Sequence, residues 1–354
     1  MAFPLTRRAL FACATAAVLR AAPKRPEIVN AYYFRAHMYT MVPRHVRDDL
    51  RWMADAGCNT ITLAVLEQDL FAAVENIEFV CSEAQKLGLR VFATASRWAG
   101  LTAGAPKVPS LFSVKNPETW IRNKDGSPLW ADRISGVISS VHHPATYQFF
   151  CESIDALFTK FPIEGIIWDE PKGFRLDYSK AALDKLGPDA PKDAHWKATA
   201  DFYSRISRHV RDKHPRKTIS LFIKADSSAV ISGFAAQIAP LDYFGCDGRP
   251  WDLETDKQFA EGRNADQESG KGKTLIGPGE KIVALARKQG RKTLMLAENH
   301  NMPANMIPAM EAGLPKVIAL SPDQLIFYYY PRNIEEPDRN METIRKALRL
   351  IPRT

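Results

Sequence analysis

Hydrophobic and polar positions follow one alternation from Ile28 to the C-terminus. Eight short apolar runs, rich in β-branched and aromatic residues, punctuate the chain: "IVNAYYF" (28–34), "NTITLAVL" (59–66), "LRVFATAS" (89–96), "EGIIWD" (164–169), "TISLFIK" (218–224), "LDYFGCD" (241–247), "KTLMLAE" (292–298) and "DQLIFYYY" (323–330). Runs of this length, bounded by polar or glycine-bearing segments, predict strands. The stretches between them carry a helical period. Val46, Leu50, Met53 and Ala54 share one face of "RHVRDDLRWMADAGC". Phe71, Val74, Phe79, Val80 and Ala84 do the same before "KLGLR", where Gly88 stands as a helix stop. Residues 149–158, 200–210, 281–286 and 341–350 supply later helices.

Eight strands alternating with helices predict a parallel sheet closed into a (β/α)8 TIM barrel, an α/β single domain over residues 27–354. An open doubly wound sheet would need a glycine-rich phosphate turn after the first strand, and "YYFRAHMYT" has none. Two connections exceed the roughly 2–6 residues usual in such units. Residues 97–143 follow the third run and contain Trp98, Trp120 and Trp130; residues 248–274 follow the sixth and contain Trp251 and a polar, glycine-rich stretch. Both lie on the face where the βα loops of a barrel gather, and long loops there build a cleft.

Composition and charge narrow the partners. The chain is 45% hydrophobic and 25% charged, an ordinary globular mixture. No apolar run reaches the roughly 18–20 residues that an integral membrane segment needs. The net charge is +8, but residues 1–26 carry Arg7, Arg8, Arg20, Lys24 and Arg25 without an acid, and removing these five leaves +3. A body so nearly balanced lacks the dense basic face that nucleic acid demands. The same residues 1–26 read as an export signal: Thr6, Arg7 and Arg8 precede a short apolar run over 9–19, and Pro23 follows Ala21 and Ala22. The paired arginines resemble a twin-arginine signal, which implies a periplasmic or extracellular bacterial protein. Cys58, Cys81, Cys151 and Cys246 are widely spaced in apolar contexts with no CxxC, and read as buried thiols. No cofactor motif occurs, and the absence of HxH and HxxxE spacings gives no reason to expect a resident metal. The oligomeric state has no signature in the pattern.

Side chains at the C-terminal ends of barrel strands converge on one mouth. Here those ends supply Arg35 and His37, Glu67, Arg97 and Trp98, Asp169 and Glu170, Lys224 and Asp226, Asp247, Glu298 and Asn299, and Tyr328 to Tyr330. Carboxylates serve as acid, base or nucleophile, and flat rings stack on the C–H faces of pyranoses, so the set suits a carbohydrate substrate. Arg35, His37, Arg97, Trp98, Lys224, Asp226, Asp247, Trp251, Asn299 and Tyr329 are the expected substrate contacts. Within "GIIWDEPKG" (165–173), the apolar "IIW" offers a wall that raises the pKa of one adjacent carboxyl. The same residues also fit structural duties: the acidic pair as a helix cap, Glu298 in an ion pair with an arginine, the tryptophans as loop packing, and His142 and His143 as helix-start residues.

"WDEP" (168–171) resembles the "WNEP" that marks the acid/base glutamate of clan-A glycoside hydrolases, whose nucleophile is a glutamate ending strand seven. The resemblance implies Glu170 as acid/base and Glu298, in "LMLAENH", as nucleophile, the pair retaining if about 5–5.5 Å apart. Asp169 departs from the pattern, since asparagine stands there in that clan. The adjacent Asp-Glu is also similar to hexosaminidases of families 20 and 123. That resemblance implies Asp169 orienting the substrate's acetamido group, Glu170 as acid/base, and Glu298 as a binding residue. "NPETWIRNKDGSPLW" (116–130), ahead of "IEGIIWDE", looks like fucosidase-like barrels in which the strand-four aspartate, here Asp169, is the nucleophile. The expected function is therefore a glycoside hydrolase. Two rivals remain: a non-catalytic carbohydrate-binding barrel, and a metal-dependent sugar isomerase drawing on His37, Asp226, Asp247 and His300.

Overall fold

The computed structural model describes residues 24–34, 41–72, 74–104, 107–260 and 272–352. The signal segment, apart from its last residues, lies outside these, as do Arg35 and His37. The described chain begins at Lys24, whose Nζ pairs with Asp323 Oδ1 at 3.0 Å.

Each of the eight apolar runs contains a barrel strand. In chain order the strands are β1 (Ile28–Tyr33), β2 (Thr60–Val65), β3 (Arg90–Ala95), β4 (Trp130–Asp132), β5 (Gly136–Val137), β6 (Gly165–Asp169), β7 (Thr218–Lys224), β8 (Tyr243–Gly248), β9 (Lys292–Ala297) and β10 (Gln324–Tyr328). β4 and β5 form a separate antiparallel pair inside the first long loop. The other eight close in the order β1-β10-β9-β8-β7-β6-β3-β2. Every barrel neighbour is parallel, and closure is made by β1 on β10, with Ile28 opposite Gln324. This is a single-domain (β/α)8 barrel, and the open-sheet alternative falls with the β1–β10 ladder.

Alternation along each strand divides the core into two shells. Ile28, Tyr32, Phe92, Ile167, Phe222, Tyr243, Leu294, Leu296 and Ile326 fill the barrel interior. Their chain neighbours, such as Ile166, Trp168, Leu221 and Phe244, face the helix layer. There Trp168 donates its indole N–H to Ser207 Oγ at 3.0 Å on helix Lys192–Lys213. One helical expectation needs correction. The second helix starts at Val74, and Phe71, placed on its buried face from the sequence, precedes it and is 70% exposed. Its apolar neighbours had a helical spacing, but the short 3-10 turn Gln68–Leu70 rotates Phe71 outward, under Lys160 Nζ at 4.9 Å. No helix among the described residues is long and apolar enough to cross a membrane.

Candidate active site at the barrel mouth

The acidic pair after β6 is aimed by a break in the strand's pleat. Gly165 and Ile167 point inward, so Asp169 does as well, and regular alternation would send Glu170 out among the helices. Instead Glu170 adopts a positive φ of 38°. That conformation, which costs a residue with a Cβ about 1–3 kcal/mol, swings its side chain back over the mouth. The turn is anchored by the Glu170 N–H donating to Phe222 O at 3.1 Å and the Ala103 N–H donating to Asp169 O at 2.8 Å. Arg97, two residues past β3, is also left-handed, at φ 61°. Two left-handed residues therefore follow the paired neighbours β3 and β6.

Three carboxylates meet beyond this turn. Glu170, Asp247 from the end of β8 and Glu298 from just past β9 each place an oxygen within 4.8 Å of the others. Among the described residues they form the group whose spacing fits a shared cation. That position is held by the chain's own ammonium. Lys273 Nζ lies 2.8 Å from Glu170 Oε1, 2.7 Å from Asp247 Oδ2 and 2.8 Å from Glu298 Oε1. The lysine arrives from the far end of the second long loop, which returns as a short parallel rung beside β8. The Arg249 N–H donates to Lys273 O at 2.8 Å and the Leu275 N–H to Arg249 O at 2.8 Å. Gly248 permits the approach, because a Cβ there would lie 3.0 Å from Lys273 O. A divalent ion would have to displace Lys273, so the donor set as it stands is matched to an ammonium.

The charges sort the acids. Burial alone would raise Glu170, yet Lys172 and Lys273, with a hydrogen bond from Asp247, hold it well below the usual carboxylate range. Glu298 is likewise lowered against burial by Lys273, His300 and Arg249, whose Nε is 3.7 Å from Glu298 Oε2. Asp247 goes the other way: burial raises it well above its ordinary value, and the Glu170 and Glu298 charges add to that. Asp169 is pushed up to about 7 by burial and by Glu170. Burial also lowers His300 to about 4, leaving a neutral ring edge-on to Tyr328 at 5.3 Å.

Asp169 therefore has a pH signature in stability. Its carboxyl binds a proton more tightly in the fold than in the unfolded chain. The stability it contributes is present below about pH 4 and lost as the pH rises through about 7. Asp169→Asn is expected to flatten this loss, so the variant's melting temperature falls less than the wild type's between about pH 5 and about pH 8. Parallel melting curves across that range would contradict the assignment.

The floor of the mouth is aromatic. Tyr32, Phe34 and Tyr328 pack with centroids 4.9–5.6 Å apart. Four buried polar atoms here, Tyr32 OH, Asp247 Oδ1, Glu298 Oε2 and His300 Nδ1, have no hydrogen-bond partner.

Several expected contacts lie elsewhere. Trp98 is fully buried between barrel and helix, donating its indole N–H to Val65 O at 2.9 Å and packing on Phe149 and Phe150, so it offers no platform. Trp251 is buried with its indole on Asp256 Oδ1 at 3.2 Å. Tyr329 points out of the barrel to Asp49 Oδ1 at 3.0 Å and Trp52, because the inward parity of β10 belongs to Tyr328. Asn299 is a brace: its amide donates to Tyr328 O and to Asn340 Oδ1. Lys224 ends β7 in register with Asp247, and Asp226 follows two residues later at the half-buried rim. Burial lowers the pKa of Arg97, against the charges of Asp169, Asp132 and Glu170, which favour its ionised form.

Glu67 is structural too. It accepts from the Ala99 N–H (2.9 Å), Ser110 Oγ (2.6 Å) and the Phe112 N–H (2.6 Å), pinning the first long loop to β2. Glu67→Ala is expected to cost about 3 kcal/mol, read as a lowered urea midpoint, since it orphans buried donors. A midpoint unchanged from wild type would show that the loop is held by other contacts. Sequence reasoning missed Lys273 and Lys172 as members of the site. Lys172, whose ammonium contacts Glu170 Oε2, sits inside "DEPKG" and its proximity was legible.

No protein-family model and no curated protein matches the chain. Solved structures do. A β-galactosidase from the Antarctic haloarchaeon Halorubrum lacusprofundi superposes with a TM-score of 0.63 at 13% identity, over 91% of this chain and 57% of its own. The catalytic domain of β-amylase from Paenibacillus polymyxa gives 0.58 at 10% identity, over 93% of this chain and 100% of its own. An α-L-fucosidase from Paenibacillus thiaminolyticus gives 0.56 at 12% identity, over 92% of this chain and 49% of its own. The chain thus spans about half the length of the galactosidase and the fucosidase. All three are glycoside hydrolases, and at these identities the likeness is one of fold.

Proposed function

We propose that the chain is a retaining glycoside hydrolase in which Glu298 is the nucleophile and Glu170 the acid/base. The observation that carries this reading is the approach of the two carboxyls. They come from the ends of β6 and β9, the fourth and seventh barrel strands, with oxygens within 4.8 Å of each other. Carboxyls that approach this closely support retention, whereas inversion keeps them about 6.5–9.5 Å apart to admit a water. Glu298, held ionised by its cationic neighbours, attacks the anomeric carbon while Glu170 protonates the departing oxygen. Glu170 then takes a proton from the water that hydrolyses the glycosyl ester. As the free site stands Glu170 is ionised, because Lys172 and Lys273 both face it. A sugar entering between the acids separates Lys273 Nζ from Glu170, which weakens one of the two cationic contacts that keep it ionised and raises it toward the range of a proton donor.

Proton NMR of the first-formed sugar during hydrolysis of aryl glycosides tests the stereochemistry. Retention of the anomeric configuration is expected, and inversion would defeat the proposed roles. A second reading has one observation in its favour, the inward-facing Asp169 with a pKa of about 7. If Asp169 orients a substrate acetamido group, Asp169→Asn should lower turnover by about 10²-fold or more on N-acetylhexosaminides. It should then leave other glycosides little changed.

A further inference from the structure

We propose that the site selects a sugar bearing an anionic substituent, a carboxylate or a sulfate, which becomes the new partner of Lys273 when the sugar enters. The inference rests on the glycosidase reading for where the reacting carbon lies. A carbon attacked by Glu298, losing an oxygen protonated by Glu170, has to sit between those two carboxyls. Lys273 Nζ occupies that space, 2.8 Å from an oxygen of each. Substrate entry therefore parts the ammonium from Glu170 and Glu298 and leaves it Asp247, whose Oδ2 lies 2.7 Å away.

The lysine has little room to retreat. Its side chain is 3% exposed, and its backbone is fixed to Arg249 and seated against Gly248. An ammonium parted from two of its three carboxylates in so dry a place is strongly disfavoured. A neutral pyranose offers hydroxyls in exchange. A uronate carboxylate or a sulfate ester offers a full negative charge.

The neighbours point the same way. Lys172 contacts Glu170 Oε2, and Arg249 Nε lies 3.7 Å from Glu298 Oε2. With the sugar's reacting carbon between the acids, Lys172 stays beside Glu170, Arg249 beside Glu298 and Lys273 beside Asp247. The buried atoms Asp247 Oδ1, His300 Nδ1 and Tyr32 OH remain for its hydroxyls. Charge and hydrogen-bonding capacity thus fit an acidic sugar better than a neutral one.

The test compares kcat/KM of the intact protein on matched 4-nitrophenyl glycosides. Glucuronides and galacturonides are set against glucosides and galactosides of the same anomer, and a 6-sulfated N-acetylglucosaminide against its unsulfated form. A preference on the order of a hundredfold for the anionic member of a pair is expected, the size of effect seen when one partner of a buried charge pair is removed. Which pair shows it separates carboxylate from sulfate. Lys273→Met should shrink that ratio at least about tenfold, and Lys273→Arg should keep most of it. A ratio near one or below in an active wild type overturns the inference and leaves the hydrolase reading standing, as does a Lys273→Met variant with the wild-type ratio. If no glycoside is cleaved, the hydrolase reading fails, and calorimetric titration with D-glucuronate, D-galacturonate and glucosamine 6-sulfate against D-glucose and D-galactose decides. At least about tenfold tighter binding of one acidic sugar supports the inference, and equal affinities overturn it.

Discussion

Glu298→Gln is expected to lower kcat by about 10⁴-fold or more while leaving the fold intact. Glutamine keeps the shape of glutamate and an oxygen that can accept from Lys273 Nζ, now 2.8 Å from Glu298 Oε1. It cannot supply the ionised oxygen that forms a bond to the anomeric carbon. Lys273 would still be held by Glu170 and Asp247, so no buried ammonium is left bare. Glu298→Ala goes further, because the shortened side chain opens room for a small nucleophile. Azide should then restore turnover on an activated aryl glycoside and yield a glycosyl azide of inverted configuration. Glu170→Gln should cost about 10²–10⁴-fold, most on substrates whose leaving group needs the proton. If Glu298→Gln keeps a tenth or more of wild-type kcat, Glu298 is not the nucleophile.

The largest structural effect is expected at a residue with no side chain. Gly245 lies in β8 between inward-facing Tyr243 and Asp247, paired with Leu294 of β9. A Cβ there would stand 1.7 Å from the Leu294 carbonyl oxygen and 2.6 Å from its carbon. Both are backbone atoms in a closed sheet, so neither a rotamer change nor a local shift of one strand gives relief. Gly245→Ala should cost about 4 kcal/mol or more, a large share of an ordinary folding free energy, and disturb the strand that delivers Asp247. The expected readout is a melting temperature lower by about 10 °C or more, or a protein that does not fold. Gly233→Ala serves as the control. It sits inside helix Ala229–Ala236 with nothing within 4 Å of its Cβ, and alanine there should be neutral or slightly stabilising. Similar melting of the Gly245 variant and wild type would contradict the described β8–β9 approach.

The barrel was legible because its signal is repeated. Eight β-rich runs separated by helical periods leave few other folds, and each run contained a strand. The orientation of individual side chains was less legible, for a physical reason. Strands of a parallel barrel are covered on both faces, so they lack the polar alternation that reveals which residues point inward. In β10 the inward set is Gln324, Ile326 and Tyr328, with Gln324 accepting from Ser220 Oγ at 3.1 Å inside the barrel. A buried glutamine at the head of the run disguises that parity, so of Tyr328 to Tyr330 the sequence offers Tyr329 as the substrate contact, where the structure turns Tyr328 inward. Trp98 failed similarly: the left-handed Arg97 turns the chain after β3, sending the indole outward.

The catalytic candidates were legible in part. Asp169, Glu170, Asp247 and Glu298 follow apolar strands directly, and strand ends share one mouth. Lys273 was not legible, because it stands at the end of a glycine-rich loop remote from any apolar run. Its approach depends on pairing with Arg249 after the chain has left the barrel and returned. The lysine bears directly on the chemistry, since together with Lys172 it keeps Glu170 ionised in the free site.

The Glu170–Glu298 assignment meets its sharpest trial in covalent trapping. The protein is incubated with 2-deoxy-2-fluoro glycosyl fluorides, neutral and uronic, and the modified peptide is located by mass spectrometry. The expected label is one glycosyl unit on Glu298, absent from Glu298→Gln. A label on Asp169, or on any residue other than Glu298, would contradict it.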